Sequence, residues 1–330
     1  MYVRADGNSK IGMGHIMRCL SIAKEIMSRG YDVKFLIASK DSADVLEKEH
    51  IPYLILETDY TDMLSEKKIL DGILTDGDKI LVDSYYVNAE YFEWLKKKVT
   101  VFYMDDVHSF EYQADMIING NIYGIYENYG NVYALGGCKY TPLRAEYREA
   151  RLNRKPERIL ITTGSSDPYN ITESIANVMI NDPILCQTDM DIVCGKYNAA
   201  YERLRNLEKI CPNIKVHRDV PNMWELMKNA MLAITAGGST LNELSCLGVP
   251  IICFSFVENQ ERIVQVYNDE GYAHLGGAWS QGDEEFLNKI CIAAKELLAD
   301  EKLRDMYSSK LMQLVDGRGC ERIAEKIINF

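Results

Sequence analysis

Arg4-Ala5-Asp6-Gly7-Asn8-Ser9-Lys10-Ile11-Gly12-Met13-Gly14-His15, with Arg18 beyond it, reads as a strand end, a glycine-bearing loop and a helix that starts at a histidine. Residues 3–5 supply the strand. Gly12 and Gly14 let the loop take backbone angles that a side chain would forbid. Apolar positions Ile16, Leu20, Ala23 and Met27 then repeat at helical spacing up to Gly30. The free N–H groups of a helix start set up a positive potential that disfavours imidazolium. His15 is therefore expected to remain neutral and able to accept a proton, which is what a general base requires. The plainer alternative is a histidine that only caps or packs its helix.

Around this unit the chain alternates strand and helix signals. Apolar or β-branched runs fall at residues 32–38, 52–56, 79–82, 99–103, 116–118 and 132–135, with a helical pattern over 89–97. A second series follows at 158–162, 191–194, 214–216, 232–235 and 250–254, and helical patterns fill 284–330. Strands alternating with helices predict two doubly wound parallel sheets, each with its ligand at the carboxyl ends of the strands. The polar stretch 144–156 is the expected divide, giving domains 1–150 and 151–330, with terminal helices able to pack back on the first.

The second series carries its own chemical site, Ala236-Gly237-Gly238-Ser239-Thr240-Leu241-Asn242-Glu243, between an apolar strand and a helix. Two glycines allow close backbone approach to a ligand, and Ser239 and Thr240 can cap the helix and donate hydroxyls. Such a helix start is an anion site, most naturally for a diphosphate. Glu243, one turn in, can accept hydrogen bonds from vicinal ribose hydroxyls. Glu258-Asn259-Gln260, after the next strand, is expected at the same crevice.

Composition narrows the classes further. The 330 residues suffice for about two domains, with 47% hydrophobic and 26% charged residues, as in an ordinary globular protein. A net charge of −12 speaks against a nucleic-acid surface, which needs clustered Lys and Arg. The nine cysteines are dispersed without a Cys-x-x-Cys pair, which suggests buried thiols in a reducing compartment. With no apolar leader and no membrane-length apolar run, a cytoplasmic chain without membrane insertion is expected. The apolar content suffices for two self-contained cores, so a monomer is the default. A third glycine of the dinucleotide fingerprint is missing, since Met17 stands there, and no GxxxxGK[ST] loop exists. Asp105-Asp106 beside His108 could hold a divalent ion, form a polar strand end or contact substrate.

These residues resemble those of a known family. The opening motif, Asp83-Ser84-Tyr85, Asp105-Asp106, Ala114-Asp115, Asn119, Leu143-Arg144, Ser166-Asp167-Pro168 with Asn170, AGGSTLNE, Glu258-Asn259-Gln260 and Asp316-Gly317-Arg318-Gly319 with Arg322 carry the likeness. Together they are similar to the UDP-2,4-diacetamido-2,4,6-trideoxy-β-L-altropyranose hydrolases of pseudaminic acid biosynthesis. Those enzymes are relatives of the UDP-dependent GT-B glycosyltransferases, and the likeness spans nearly the whole chain.

The resemblance implies a GT-B-like α/β fold, two Rossmann-type domains facing a cleft, and hydrolysis of the sugar C1–O bond to release UDP without metal or cofactor. It matches His15 to the base, Glu243, Asn259 and Asn170 to nucleotide-sugar contacts, and Tyr85 to a tyrosine of the sugar pocket. On that reading UDP lies along Gly237, Gly238, Ser239 and Thr240, with Gln260 beside it and uracil near residues 218–220. A water oriented by His15, with Tyr85 or Asp83, attacks C1, and Gly14, Arg18 and Asp105 contact the sugar. The partners are then a small UDP-sugar and water. A glycosyltransferase using a UDP-sugar donor and a non-catalytic nucleotide-sugar binder are the alternatives.

Overall fold

The computed structural model describes residues 1–8, 10–164, 167–196, 198–280 and 283–330. Ser9 and Ser166, which belong to the quoted motifs, lie outside the described residues. The chain divides into two compact units, residues 1–144 with 317–330, and residues 145–316.

The first unit runs β1 (Tyr2–Ala5), α1 (Gly14–Ser28), β2 (Lys34–Ile37), α2 (Ala43–Lys48), β3 (Tyr53–Ile55), α3 (Lys67–Leu70), β4 (Lys79–Asp83), α4 (Ala89–Lys96), β5 (Thr100–Met104), β6 (Met116–Asn119) and β7 (Tyr133–Gly136). The second runs α5 (Ala145–Arg151), β8 (Arg158–Thr162), α6 (Ile171–Asn181), β9 (Met190–Cys194), α7 (Tyr201–Ile210), β10 (Ile214–Arg218), α8 (Met223–Met227), β11 (Ala230–Ala236), α9 (Ser239–Leu247), β12 (Ile251–Ser255), α10 (Glu258–Asp269), β13 (His274–Ala278), α11 (Glu284–Ala299) and α12 (Glu301–Leu314). The chain then returns to the first unit as α13 (Gly319–Asn329).

Both sheets are parallel throughout. The first has seven strands in the order β3-β2-β1-β4-β5-β6-β7, and the second six in the order β10-β9-β8-β11-β12-β13. Each is the doubly wound arrangement expected from the alternation, with the order reversing beside the first strand of the unit.

Strand parity sorts the first unit into two cores. Val3, Ala5, Leu81, Phe102 and Met104 face α1 and α13, where Ile16, Cys19, Ile22, Ile323 and Ile327 bury with them. Ile80, Val82, Val101 and Tyr103 face α4, against Tyr91, Phe92 and Leu95. Alternate residues of a strand point to opposite faces, so the same parity governs the residues just past each strand end.

The terminal helix is fastened by specific bonds as well as by apolar contact. Lys79 Nζ donates to the carbonyls of Ile327 (2.9 Å) and Ile328 (3.0 Å), satisfying the C-terminal end of α13. Phe330 packs edge-on against Phe102. In the second unit, residues 145–151 form α5, where the sequence suggested a polar divide. Tyr147 and Ala150 bury one side of that helix, so the units part before it, between 144 and 145. Strand β13 gave no sequence signal because its segment, His-Leu-Gly-Gly-Ala, holds neither alternation nor a β-branched residue.

Candidate functional site

The loop between β1 and α1 is built around Asn8, whose Oδ1 accepts the N–H groups of Lys10 (2.8 Å) and Ile11 (3.0 Å). Asn8 and Gly12 exchange backbone bonds, and Gly12 takes the left-handed φ of +75° that this tight return needs. Gly14 does not share that reason. It is the first residue of α1, and a Cβ there would stand in open space. Beneath the loop Arg4 is fully buried, bonded through Nε to Glu66 (2.7 Å) and through Nη1 to Asp6. Asp6 Oδ1 in turn accepts the N–H of Ala38 (2.7 Å), so the loop rests on a satisfied buried charge network.

His15, on the first turn of α1, meets Asp83 at the end of β4. His15 Nδ1 lies 2.6 Å from Asp83 Oδ1, and both side chains are nearly buried, at 7% and 1% exposure. Arg18, one turn along the same helix face, donates Nε to Asp83 Oδ2 and Nη2 to Asp83 Oδ1, both at 2.6 Å. Its Nη1 reaches Asp106 Oδ2 at 2.7 Å. Burial alone would raise the Asp83 carboxyl, but Arg18 and then His15 outweigh it and hold the group far below the usual carboxylate range.

An ionised Asp83 only accepts hydrogen bonds, so the Nδ1 facing it carries the hydrogen and donates. Arg18 Nη2, 3.3 Å from the same nitrogen, stands beside it as a charge. In the neutral ring that tautomer leaves the lone pair on Nε2. The helix-start potential inferred from sequence is thus not the only field at His15, because a buried carboxylate of opposite sign touches the ring.

Tyr85 crosses the imidazole edge-on at 4.6 Å and donates its hydroxyl to Asp106 Oδ2 (3.0 Å). Asn121 Nδ2 donates to Asp106 Oδ1 (3.0 Å). His15, Asp83 and Tyr85 line one pocket of the first unit together with Asp6, Ile11, Ser84, Tyr60 and Tyr86. Arg18, expected to contact sugar, gives three of its five N–H groups to the two carboxylates. Asp105, also expected there, is 1% exposed and lies on the other face of the sheet. Its Oδ1 accepts from Tyr112 (2.7 Å) and from the N–H groups of Val107 and His108, and its Oδ2 from Tyr129 (2.5 Å).

Parity accounts for the difference between the two adjacent aspartates. Asp106 continues the series Phe102, Met104 towards α1, whereas Asp105 continues Val101, Tyr103 away from it. The sequence named the pair, and it is Asp106 that joins this cluster, together with Asn121, Tyr60 and Tyr86, which the sequence reading did not name. Knowing which face α1 covers would have identified Asp106. His108, the third member of the possible metal set, is bonded through Nδ1 to Glu127 (2.6 Å). Among the described residues no three His, Cys, Asp or Glu side chains converge on a metal-sized site.

The glycine turn of the second unit lies between β11 and α9. Gly237 donates its N–H to Phe254 O (2.8 Å), and a Cβ on it would come within 2.6 Å of Val264 Cγ2 and 3.0 Å of the Gln260 carbonyl. Its bareness serves the packing of α10. Gly238 differs: its φ of −177° suits any residue, and a Cβ would meet nothing within 4 Å. Gly238 is also the N-cap of α9, so Ser239 and Thr240 are first-turn residues rather than N-caps. Its first N–H groups open onto the space beside Gly238, an arrangement suited to an anion.

Glu243 is half-buried one turn further on. Asn259 is exposed on the first turn of α10, while Gln260 turns its Oε1 back to the N–H of Phe256 (3.1 Å). Asn170 adopts a left-handed conformation as the N-cap of α6, and the side-chain bonds to that helix start come from Asp167 instead, to Ile171 (2.8 Å) and Thr172 (2.9 Å). At the end of β10, Arg218 stacks over the Tyr201 ring at 4.7 Å and donates to Lys196 O.

Residues 158–316, all within the second unit, match the glycosyltransferase family 28 C-terminal domain. Over 334 aligned residues the chain is 28% identical to the spore coat polysaccharide biosynthesis protein SpsG of Bacillus subtilis, covering 97% of this chain and 95% of that one. It is 26% identical to the UDP-2,4-diacetamido-2,4,6-trideoxy-beta-L-altropyranose hydrolase of Campylobacter jejuni, covering 82% and 96%. Among solved structures, Acinetobacter baumannii MurG superposes with a TM-score of 0.69 over 100% of this chain and 99% of that one, at 15% identity. The fold is that of the GT-B glycosyltransferases, and the motif resemblance to the altropyranose hydrolases extends over most of the chain.

Proposed function

We propose that this protein hydrolyses a UDP-sugar, with UDP-2,4-diacetamido-2,4,6-trideoxy-β-L-altropyranose as the substrate and His15 as the general base. The observation that carries the reading is the 2.6 Å contact of His15 Nδ1 with a buried, ionised Asp83, at a pocket that Tyr60, Tyr85 and Tyr86 also line. The likeness to the altropyranose hydrolase supports the choice of substrate.

The second unit contributes the seat for UDP. Diphosphate oxygens accept the first N–H groups of α9 beside Gly238, and Glu243 accepts from the ribose hydroxyls. The first unit contributes the base. His15 Nε2 takes a proton from water as the water oxygen bonds to the anomeric carbon. The C1–O bond breaks, its electron pair leaves on the diphosphate oxygen, and the proton held by His15 is lost to solvent. Helix-start N–H groups meet the charge growing on the leaving diphosphate. Tyr85 fixes the edge of the imidazole, and Asp83 stabilises the positive charge that the ring carries between the two steps.

A transferase on the same fold is the second reading, favoured by the family 28 match. The discriminating experiment supplies the UDP-sugar with no acceptor and follows UDP and free sugar by proton NMR, for wild type beside His15→Ala. The hydrolase reading expects turnover in water by the wild type and a rate lower by roughly 10²–10⁴ in the variant. Retention of UDP-sugar until an acceptor is added would replace it with the transferase reading, and equal rates in both proteins would remove His15 from the mechanism.

A further inference from the structure

Arg18 has a task that neither the motif nor the proposed reaction assigns to it. The carboxylates of Asp83 and Asp106 both converge on one guanidinium, and His15 shares Asp83 with that guanidinium. We propose that Arg18 is a positioning residue that keeps the His15–Asp83 pair at a single shared proton, so that the imidazole presents a free Nε2 at neutral pH. This inference rests on the reading of His15 as base, but its own test does not.

The charge count carries the argument. With Arg18 in place the cluster of Asp83, Asp106, Arg18 and neutral His15 bears one net negative charge. Without it the same groups would bear two, and close like charges with Asp83 and His15 buried are relieved by taking up a proton. On either member of the pair that proton would disable the base. On His15 it would occupy Nε2, and on Asp83 it would remove the acceptor that holds the Nδ1–H tautomer. The two groups titrate as a unit, so the property at stake belongs to the pair.

Among the described residues, the other groups around the pair do not supply a replacement cation. From α1, Cys19 Sγ donates to Asp83 Oδ2 at 3.4 Å, and burial followed by Asp83 pushes that thiol well up, so it stays neutral. From the loop after β4 comes the Tyr85 phenol, and from the loop after β5 the Asp106 carboxylate. From the loop after β1, Asp6 lines the same pocket; it shares the Arg4 guanidinium with Glu66, so no cation is left over there. Tyr60 and Tyr86 complete the wall as phenols.

The test compares Arg18→Gln, Arg18→Lys and Asp106→Asn with the wild type in the intact chain. Two readouts are followed, the acid limb of the pH–rate profile for UDP release and the ¹⁵N chemical shifts of the His15 imidazole. The His15 signals are assigned by their loss in His15→Gln, since the chain has only five histidines. Arg18→Gln should move the acid limb up by about 1–2 pH units and populate a doubly protonated imidazole near pH 7. Arg18→Lys, which keeps the charge, should return the limb most of the way.

Asp106→Asn removes a negative charge from the cluster and should move the limb in the opposite direction. It also keeps the proposal testable should Arg18→Gln not fold. Limbs and imidazole shifts that stay at wild-type values in both Arg18→Gln and Asp106→Asn would overturn the proposal. Imidazole signals that move as expected while the rate profile does not would uphold the role of Arg18 and refute His15 as the base.

Discussion

One methyl group, placed at either of two adjacent residues, should have two different consequences. In Gly237→Ala the new Cβ stands 2.6 Å from Val264 Cγ2 and 3.0 Å from the backbone carbonyl of Gln260, with Ile263 Cγ2 at 3.1 Å. Backbone cannot turn aside as a side-chain end can, so α10 must shift outward. Overpacking of this kind costs about 1–3 kcal/mol. For a unit of this size that lowers the melting temperature by roughly 2–12 °C. In Gly238→Ala the Cβ meets nothing within 4 Å and the extended φ is unstrained. The poorer N-cap and the stiffer unfolded chain act in opposite directions there, leaving stability within about 1 kcal/mol of wild type. The methyl does, however, occupy the space beside the first N–H groups of α9, where the diphosphate is proposed to lie. UDP affinity should then fall by at least about tenfold, equivalent to roughly 1.4 kcal/mol. Thermal denaturation and calorimetric UDP titration of the two single variants read both quantities. Wild-type affinity in Gly238→Ala would refute the start of α9 as the diphosphate seat. Wild-type stability in Gly237→Ala would refute the close approach of α10.

Asp83→Asn should leave UDP titration unchanged and lower turnover by about 10³–10⁴, because an amide facing Nδ1 favours the tautomer whose Nε2 is already protonated. The same change bears on acid stability. The folded carboxyl lies below its unfolded range, so its contribution is full above about pH 4 and is lost as pH falls further. Wild-type melting temperature should therefore drop more steeply below pH 4 than that of Asp83→Asn, and parallel pH dependences would contradict this. Lys79→Met removes both donors from the end of α13 and should cost about 1–2 kcal/mol. Hydrogen exchange should quicken first in residues 319–329, and unchanged protection there would show that apolar contact alone holds the helix.

Much of the fold could be read from the sequence because period and punctuation agreed. The run Ile16, Leu20, Ala23, Met27 between a glycine loop and Gly30 could only be a helix of the observed length, and α1 ends at Ser28. The eleven apolar runs marked in the two series each correspond to a strand from β2 to β12. What escaped was decided by tertiary partners. Strand β13 is held by β12 and covered by α11, and nothing in its own residues announces it. The segment 145–151 looks like linker by charge, yet Tyr147 and Ala150 give it a buried side.

The site divides in the same way. His15, Asp83 and Tyr85, which only the family resemblance had grouped, line one pocket. The partner of His15 could not be derived from spacing, since 68 residues separate it from Asp83 and only the adjacency of β1 and β4 joins them. The close packing of α10 on Gly237 is set by residues 260–264, a demand that no local pattern encodes.

The return of α13 to the first unit sets an order of events during synthesis. Residues 1–144 leave the ribosome first, yet their α1 face still lacks Ile323, Ala324 and Ile327, which complete its apolar core. The whole of the second unit is translated in the interval, which at about 5–20 residues per second lasts roughly ten to thirty-five seconds. Through that time the half of the protein that carries His15 is a nascent sheet with an uncovered apolar stripe, an inviting surface for a holdase. The second unit, formed by one uninterrupted segment, can close as soon as it emerges. Of the two units, the one begun first is therefore finished last, and a chain stalled or clipped before residue 319 would carry a complete second unit and a first unit still missing one wall.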